Sequence, residues 1–170
     1  MNIEFEVRLH PVEEVYPSEL KGTEITDYLA KLKAEAFKDD LKKNDILITS
    51  DTIVWLDDKP IEKPKDNDDA FRMIKSLSNT THEVMTSVCV TQISQQKVVN
   101  TVTRVTFRDL TDEEIRYYVN AYEPLDKAGA YGIQEWIGAV GITNIEGSYN
   151  NVVGLPTHLL YETLINMVNA

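Results

Sequence analysis

Ile3, Phe5, Val7 and Leu9 alternate with polar residues, the two-residue period of a half-buried strand. An acidic loop follows, with Glu13, Glu14 and Pro17. The period then lengthens. Ile25, Leu29, Leu32 and Ala36 recur at helical spacing and predict a helix over 23–38, capped near Thr23. Two apolar pieces, Ile46-Leu47-Ile48 and Ile53-Val54-Trp55-Leu56, flank Thr49-Ser50-Asp51-Thr52, and Asp57-Asp58-Lys59-Pro60 reads as a turn. Asp66 with Asp69 opens a second helix, whose apolar face carries Ala70, Met73, Ile74 and Leu77. Residues 82–92 and 97–108 alternate and are rich in β-branched side chains. Joined by Ser94-Gln95-Gln96, they predict a long hairpin. Thr111 and Glu114 form a capping box for a third helix running to about residue 121. Residues 126–155 hold six of the seven glycines and little periodicity, so loops and short strands are expected there. A last helix follows Pro156, with Leu159, Leu160, Thr163, Leu164, Met167 and Val168. Together these elements predict an α/β fold with a mixed sheet.

Composition narrows the function. The 170 residues make one domain, and 42% apolar content supplies a core. Lys and Arg number 17 against 28 Asp and Glu, a net charge of −11. That balance excludes non-specific binding to nucleic acid or to an anionic membrane. A small phosphorylated substrate is still open, held by a few local lysines or a divalent cation. The single cysteine, Cys89, excludes an intrachain disulfide and a multi-cysteine zinc site. It sits in an alternating stretch as a small buried hydrophobe. No basic segment leads into an apolar one at the N-terminus, and no apolar run reaches about 18 residues, so a cytoplasmic protein is expected.

Few residues stand out chemically. Asp51 interrupts an apolar stretch, so its carboxylate lies at or near the end of a buried strand. It either accepts backbone N–H bonds there or works as a hydrated, paired or metal-bound group. Lys63 is held extended by Pro64 and suits a phosphate, although by itself a solvated lysine in the charged run 62–69 is the commoner case. Lys33 borders the core stripe of the first helix, where a lysine also snorkels to the surface. In Asp126-Lys127-Ala128-Gly129-Ala130-Tyr131-Gly132-Ile133-Gln134 the glycines permit close backbone approach or simply turn the chain. Gln134 carries an acceptor and two donors that could read a base edge. Gly147-Ser148-Tyr149-Asn150-Asn151-Val152-Val153-Gly154-Leu155-Pro156 could present N–H groups to an anion or serve as a plain loop. His10, His82 and His158 share no metal-ligand spacing.

In order, Glu14, Lys33-Ala34, Ser50-Asp51-Thr52-Ile53-Val54, Lys63-Pro64, Leu77-Ser78 with Thr81-His82-Glu83-Val84, and the two glycine-bearing segments resemble the Maf family of nucleoside triphosphate pyrophosphatases. The resemblance covers essentially the whole chain. It implies an elongated, mixed and twisted sheet flanked by helices, in two lobes around a central cleft. It also implies hydrolysis of a nucleoside triphosphate to the monophosphate and pyrophosphate, with Mg2+ or Mn2+ as cofactor. Asp51 matches the family's proton acceptor. Glu14, Lys33 and Lys63 match its metal- and phosphate-site positions, with Glu14 and Asp51 as the metal pair and Lys127 beside the substrate. Thr52 and Gln134 resemble the subgroup acting on dTTP and UTP, with modified pyrimidine nucleotides as further substrates.

The resemblance departs at the start. The family opens with a strand and a Ser-x-Ser-Pro-Arg-Arg loop, and none of Arg8, Arg72, Arg104, Arg108 and Arg116 lies in such a context. The expectation is therefore a single domain over 1–170, truncated at its N-terminus relative to the family. Such a chain would be a homodimer and a weakened catalyst, or else a nucleotide-binding or cell-division regulatory protein. A Gln amide can rotate to suit either uracil or cytosine. Gln134 discriminates only if a neighbour fixes it, and Thr52 or a backbone group in the glycine-rich segment is the candidate neighbour.

Overall fold

The computed structural model describes residues 1–168. Its centre is a hairpin of β3 (Thr81–Thr91) and β4 (Gln96–Phe107), paired from Thr81↔Thr106 to Thr91↔Gln96. β1 (Leu47–Leu56) lies along the other side of β3, from Leu47↔Thr91 to Trp55↔Glu83. Asp57 and Asp58 both have positive φ, 51° and 59°, which gives the tight twist of a two-residue hairpin into β2 (Lys59–Ile61). β5 (Ile142–Glu146) completes a five-stranded sheet in the order β2-β1-β3-β4-β5. Because β2 is so short, it pairs only with Val54–Leu56. Among the described residues, the rest of that edge of β1, including Asp51 and Thr52, has no strand beside it.

One face of the sheet is covered by α1 (Thr23–Glu35), whose Ile25 and Leu29 pack with Ile53 and Met85, and Ala30 and Ala34 with Cys89. The opposite face carries α2 (Asn67–Leu77), α3 (Asp112–Tyr122) and α4 (Trp136–Gly141) over a large core that includes Val54, Val84, Val105 and Phe107. Further along, α5 (Tyr149–Val153) and α6 (Thr157–Val168) follow, with Leu160 and Met167 against Val88 and Val90. The starts of α2 and α3 read from the sequence hold: Asp66 accepts the Asp69 N–H at 2.8 Å, and the Thr111–Glu114 capping box is complete.

Four expectations need correction. The sheet is antiparallel throughout rather than mixed, because β3 returns beside β1 on the side away from β2, running opposite to it. Residues 3–9 form no strand, and Phe5 and Leu9 are 84% and 89% exposed. Alternation supplies an apolar face, but a strand exists only once its backbone groups find a ladder. The first helix starts from Gly22, with no side-chain cap from Thr23, and ends at Glu35. A 3-10 turn, Lys38–Asp40, follows and buries Phe37. Finally, the two apolar pieces around Asp51 are one strand, and Asp51 is in its middle rather than at its end.

Candidate active site

Consecutive polar side chains survive inside β1 because each finds a hydrogen-bond partner. The Thr49 hydroxyl donates to the Ala30 carbonyl at 2.7 Å, and Ser50 donates to the Ser87 carbonyl at 2.9 Å. Asp51, only 7% exposed, accepts from Lys33 Nζ at 2.7 Å. Lys33 reaches it from α1 and also pairs with Glu14 at 2.7 Å, so one ammonium bridges two carboxylates. Lys63 approaches the other oxygen of Glu14 at 3.5 Å.

Burial pushes the Asp51 carboxyl above its usual range. The bond to Lys33 opposes this without cancelling it. Burial also works against the charged forms of Lys33 and Glu14. For these two the ion pairs win: the Lys33 ammonium is held above its ordinary value and the Glu14 carboxyl below. The result is a buried, basic carboxylate beside a permanent cation.

Adjacent residues of a strand point to opposite faces. Asp51 therefore faces α1 while Thr52 faces α5. Both reach one cleft of about 580 Å³ because the edge of β1 is open at this point. Glu14, Lys33, Lys63, Lys127 and Gln134 line the same cleft, so every side chain singled out from the sequence as a site residue is gathered there. Lys127 is held between Asp126 at 2.8 Å and Glu135 at 3.3 Å. Among the described residues the Gln134 amide makes no hydrogen bond. Thr52, expected to fix it, bonds instead to Thr86 at 2.9 Å.

Sequence reasoning missed the groups that hold the loop 127–135. The Tyr118 hydroxyl donates to Glu135 and accepts the Gly132 N–H at 3.0 Å, and Tyr131 meets His82 Nε2 at 2.7 Å. Burial pushes His82 down to about 4, so it is neutral near pH 7. The motif around His82 was a visible signal, whereas Tyr118 and Glu135 carried none beyond their neighbours in the helix pattern.

Gly129 has φ 70°, and a Cβ there would lie 2.9 Å from Val54 Cγ2. Its N–H donates to the Glu62 carbonyl at 3.1 Å and ties the loop to the segment that carries Lys63. Gly129→Ala combines left-handed strain with overpacking and should destabilise the fold by about 2–5 kcal/mol. Chemical denaturation measures this. An unchanged midpoint would show that the loop relaxes freely.

Four carboxylates and three ammoniums line the cleft: Glu14, Asp51, Glu62 and Asp126 against Lys33, Lys63 and Lys127. No group of three or more His, Cys, Asp or Glu among the described residues is gathered as a cation site. Glu14 and Asp51 are two carboxylates that a divalent ion completing its shell from a phosphorylated substrate and water could use, provided the Lys33 ammonium that now bridges them gives way. The open cleft thus sets a lysine-bridged carboxylate pair beside two further lysines.

Residues 1–167 match the family model described as Maf-like protein, and the chain belongs to that family. It is similar to proteins named dTTP/UTP pyrophosphatase. The one from Flavobacterium psychrophilum is 58% identical over 98% of this chain and 85% of its own length. That from Christiangramia forsetii is 56% identical over the whole chain and 87% of its own length. That from Phocaeicola vulgatus is 49% identical over 96% of this chain and 86% of its own length.

Proposed function

We propose that this chain hydrolyses dTTP and UTP to the monophosphate and pyrophosphate, a house-cleaning reaction, in the cleft around Asp51. The observation that carries the reading is the buried Asp51 carboxylate held 2.7 Å from Lys33 at an open strand edge. The raised pKa makes Asp51 a better base than a solvated carboxylate. In this reading Asp51 accepts the proton of the water that attacks the α-phosphorus. Lys33, Lys63 and Lys127 offset charge on the phosphates and on the departing pyrophosphate. Pyrophosphate leaves as a unit, so no covalent nucleophile is needed.

The cleft's own carboxylates outnumber its lysines, which supports a requirement for Mg2+ or Mn2+ held by Glu14 and Asp51. A bound divalent ion would supply charge neutralisation and a more acidic water. Thr52 and Gln134, on the α5 side of β1, would take the base. Among the described residues no helix is long and apolar enough to cross a membrane. The reading includes a homodimer in the cytoplasm, and sedimentation of the purified chain tests the dimer.

The experiment is a pyrophosphate-release screen over the common nucleotides, with and without Mg2+. UTP and dTTP should lead CTP and the purines, and release should fall without the metal. Gln134→Ala should lower kcat/KM for UTP about tenfold through lost base hydrogen bonds. No release from any nucleotide would overturn the activity, and equal release from all of them would overturn the base assignment.

A further inference from the structure

We infer that Thr86, buried behind the cleft, makes the Thr52 hydroxyl an acceptor towards the base, so that Thr52 reads the N3–H of uracil and thymine against the bare N3 of cytosine. The inference rests on the proposed placement of the base beside Thr52.

It follows from counting protons along a chain of hydroxyls. Thr86 is fully buried, and its hydroxyl lies 3.1 Å from the Asn151 carbonyl, which can only accept. Thr52 Oγ1 lies 2.9 Å from Thr86 Oγ1. Each hydroxyl has one proton to give. If Thr86 donates to Asn151, then Thr52 donates to Thr86, and both contacts are hydrogen bonds. Thr52 is left with lone pairs towards the cleft. If the Thr52 proton is turned to a ligand instead, one of the two contacts is lost: either Thr86 stays on Asn151 and no proton lies between the two hydroxyls, or Thr86 turns to Thr52 and gives up Asn151.

The far end of the chain is fixed. Asn151 is fully buried, and its amide donates to the Val84 carbonyl at 3.0 Å and to Thr103 Oγ1 at 2.8 Å. The Thr52 end is fixed as well. It lies on β1 opposite Thr86 in the ladder, where a Cβ on Gly154 would come within 3.7 Å of its hydroxyl oxygen.

A bound uracil or thymine donates its N3–H to Thr52 and completes three hydrogen bonds in a row. Cytosine offers N3 as an acceptor. To serve it, the Thr52 proton must turn to the ligand, which gives up the Thr52–Thr86 bond or, if Thr86 turns as well, the bond to Asn151. The difference is one hydrogen bond, a factor of about 2–12 in the preference for UTP over CTP. Gln134 cannot supply that preference by itself, because its amide turns to suit either base and nothing among the described residues holds it.

The test is the ratio of kcat/KM for UTP to that for CTP in the parent, Thr86→Val and Thr86→Ser. Valine keeps the shape and removes the hydroxyl. It leaves the Asn151 carbonyl with its other donor, the Gly154 N–H at 3.0 Å. The ratio should fall about 2- to 12-fold in Thr86→Val, chiefly because KM for CTP improves, and should return in Thr86→Ser. A parent that prefers UTP and a Thr86→Val variant with the same preference overturn the relay and leave the base assignment standing. A parent with no preference overturns both. The parent also offers a measurement that needs no variant. By NMR, the N3 imino proton of a bound non-hydrolysable UTP analogue should exchange with water more slowly than in free nucleotide. An imino proton that exchanges equally fast in both overturns the inference.

Discussion

Replacing Asp51 with asparagine should lower kcat for UTP by about 10²–10⁴, the usual cost of removing a general base. Asparagine keeps the shape and the hydrogen-bonding oxygen towards Lys33 but has no basic site. Folding should be untouched. The raised pKa means that the folded chain holds the Asp51 proton more tightly than the unfolded chain does. Ionising this group therefore costs stability once the pH rises above its folded pKa, and a neutral amide escapes that cost. The thermal midpoint of Asp51→Asn at neutral pH should equal or exceed that of the parent. The same shift sets the pH profile. In the parent, activity should fall with acidification through a carboxyl pKa above the ordinary range, and this limb should vanish in the variant's residual activity. Turnover within twofold of the parent would remove Asp51 from the chemistry.

The second large effect is expected at Lys33. Lys33→Met keeps most of the stem that extends from α1 and deletes the charge between Glu14 and Asp51. The rate should fall by about 10²–10³, the loss typical of one preorganised charge-stabilising donor. Without bound metal the two carboxylates would then face each other with no cation between them. Asp51 would become still harder to ionise, because the Lys33 ammonium is what now opposes its burial. The acid limb of the pH profile should therefore move to higher pH in Lys33→Met. A loss of rate with an unmoved limb would mean that Lys33 binds phosphate without tuning Asp51. An unchanged rate would defeat both roles. The two variants are not additive, since each removes one half of the same ion pair.

These effects depend on a bridge that no short stretch of sequence contains. What the chain determined by itself were the elements with local instructions. The caps of α2 and α3 span three residues each. The β3–β4 hairpin carries its own alternation and turn, and α6 starts behind Pro156. The family pattern also placed Glu14, Lys33, Asp51, Thr52, Lys63, Lys127 and Gln134 on one list, and they do share one cleft.

Tertiary structure decided the rest, for one physical reason: burying a polar group is costly unless a partner arrives, and here the partners are remote. Asp51 sits mid-strand because Lys33, 18 positions away, reaches it from another element. Thr52 meets Thr86 across 34 positions, and Thr86 meets Asn151 across 65. Conversely, the alternating residues 3–9 found no ladder and formed no strand, although their pattern was as regular as that of β3. Periodicity records which face a residue would bury. Whether a strand forms, in which direction it pairs and which carboxylate receives a cation depend on backbone groups and side chains far along the chain, brought together only when the sheet closes.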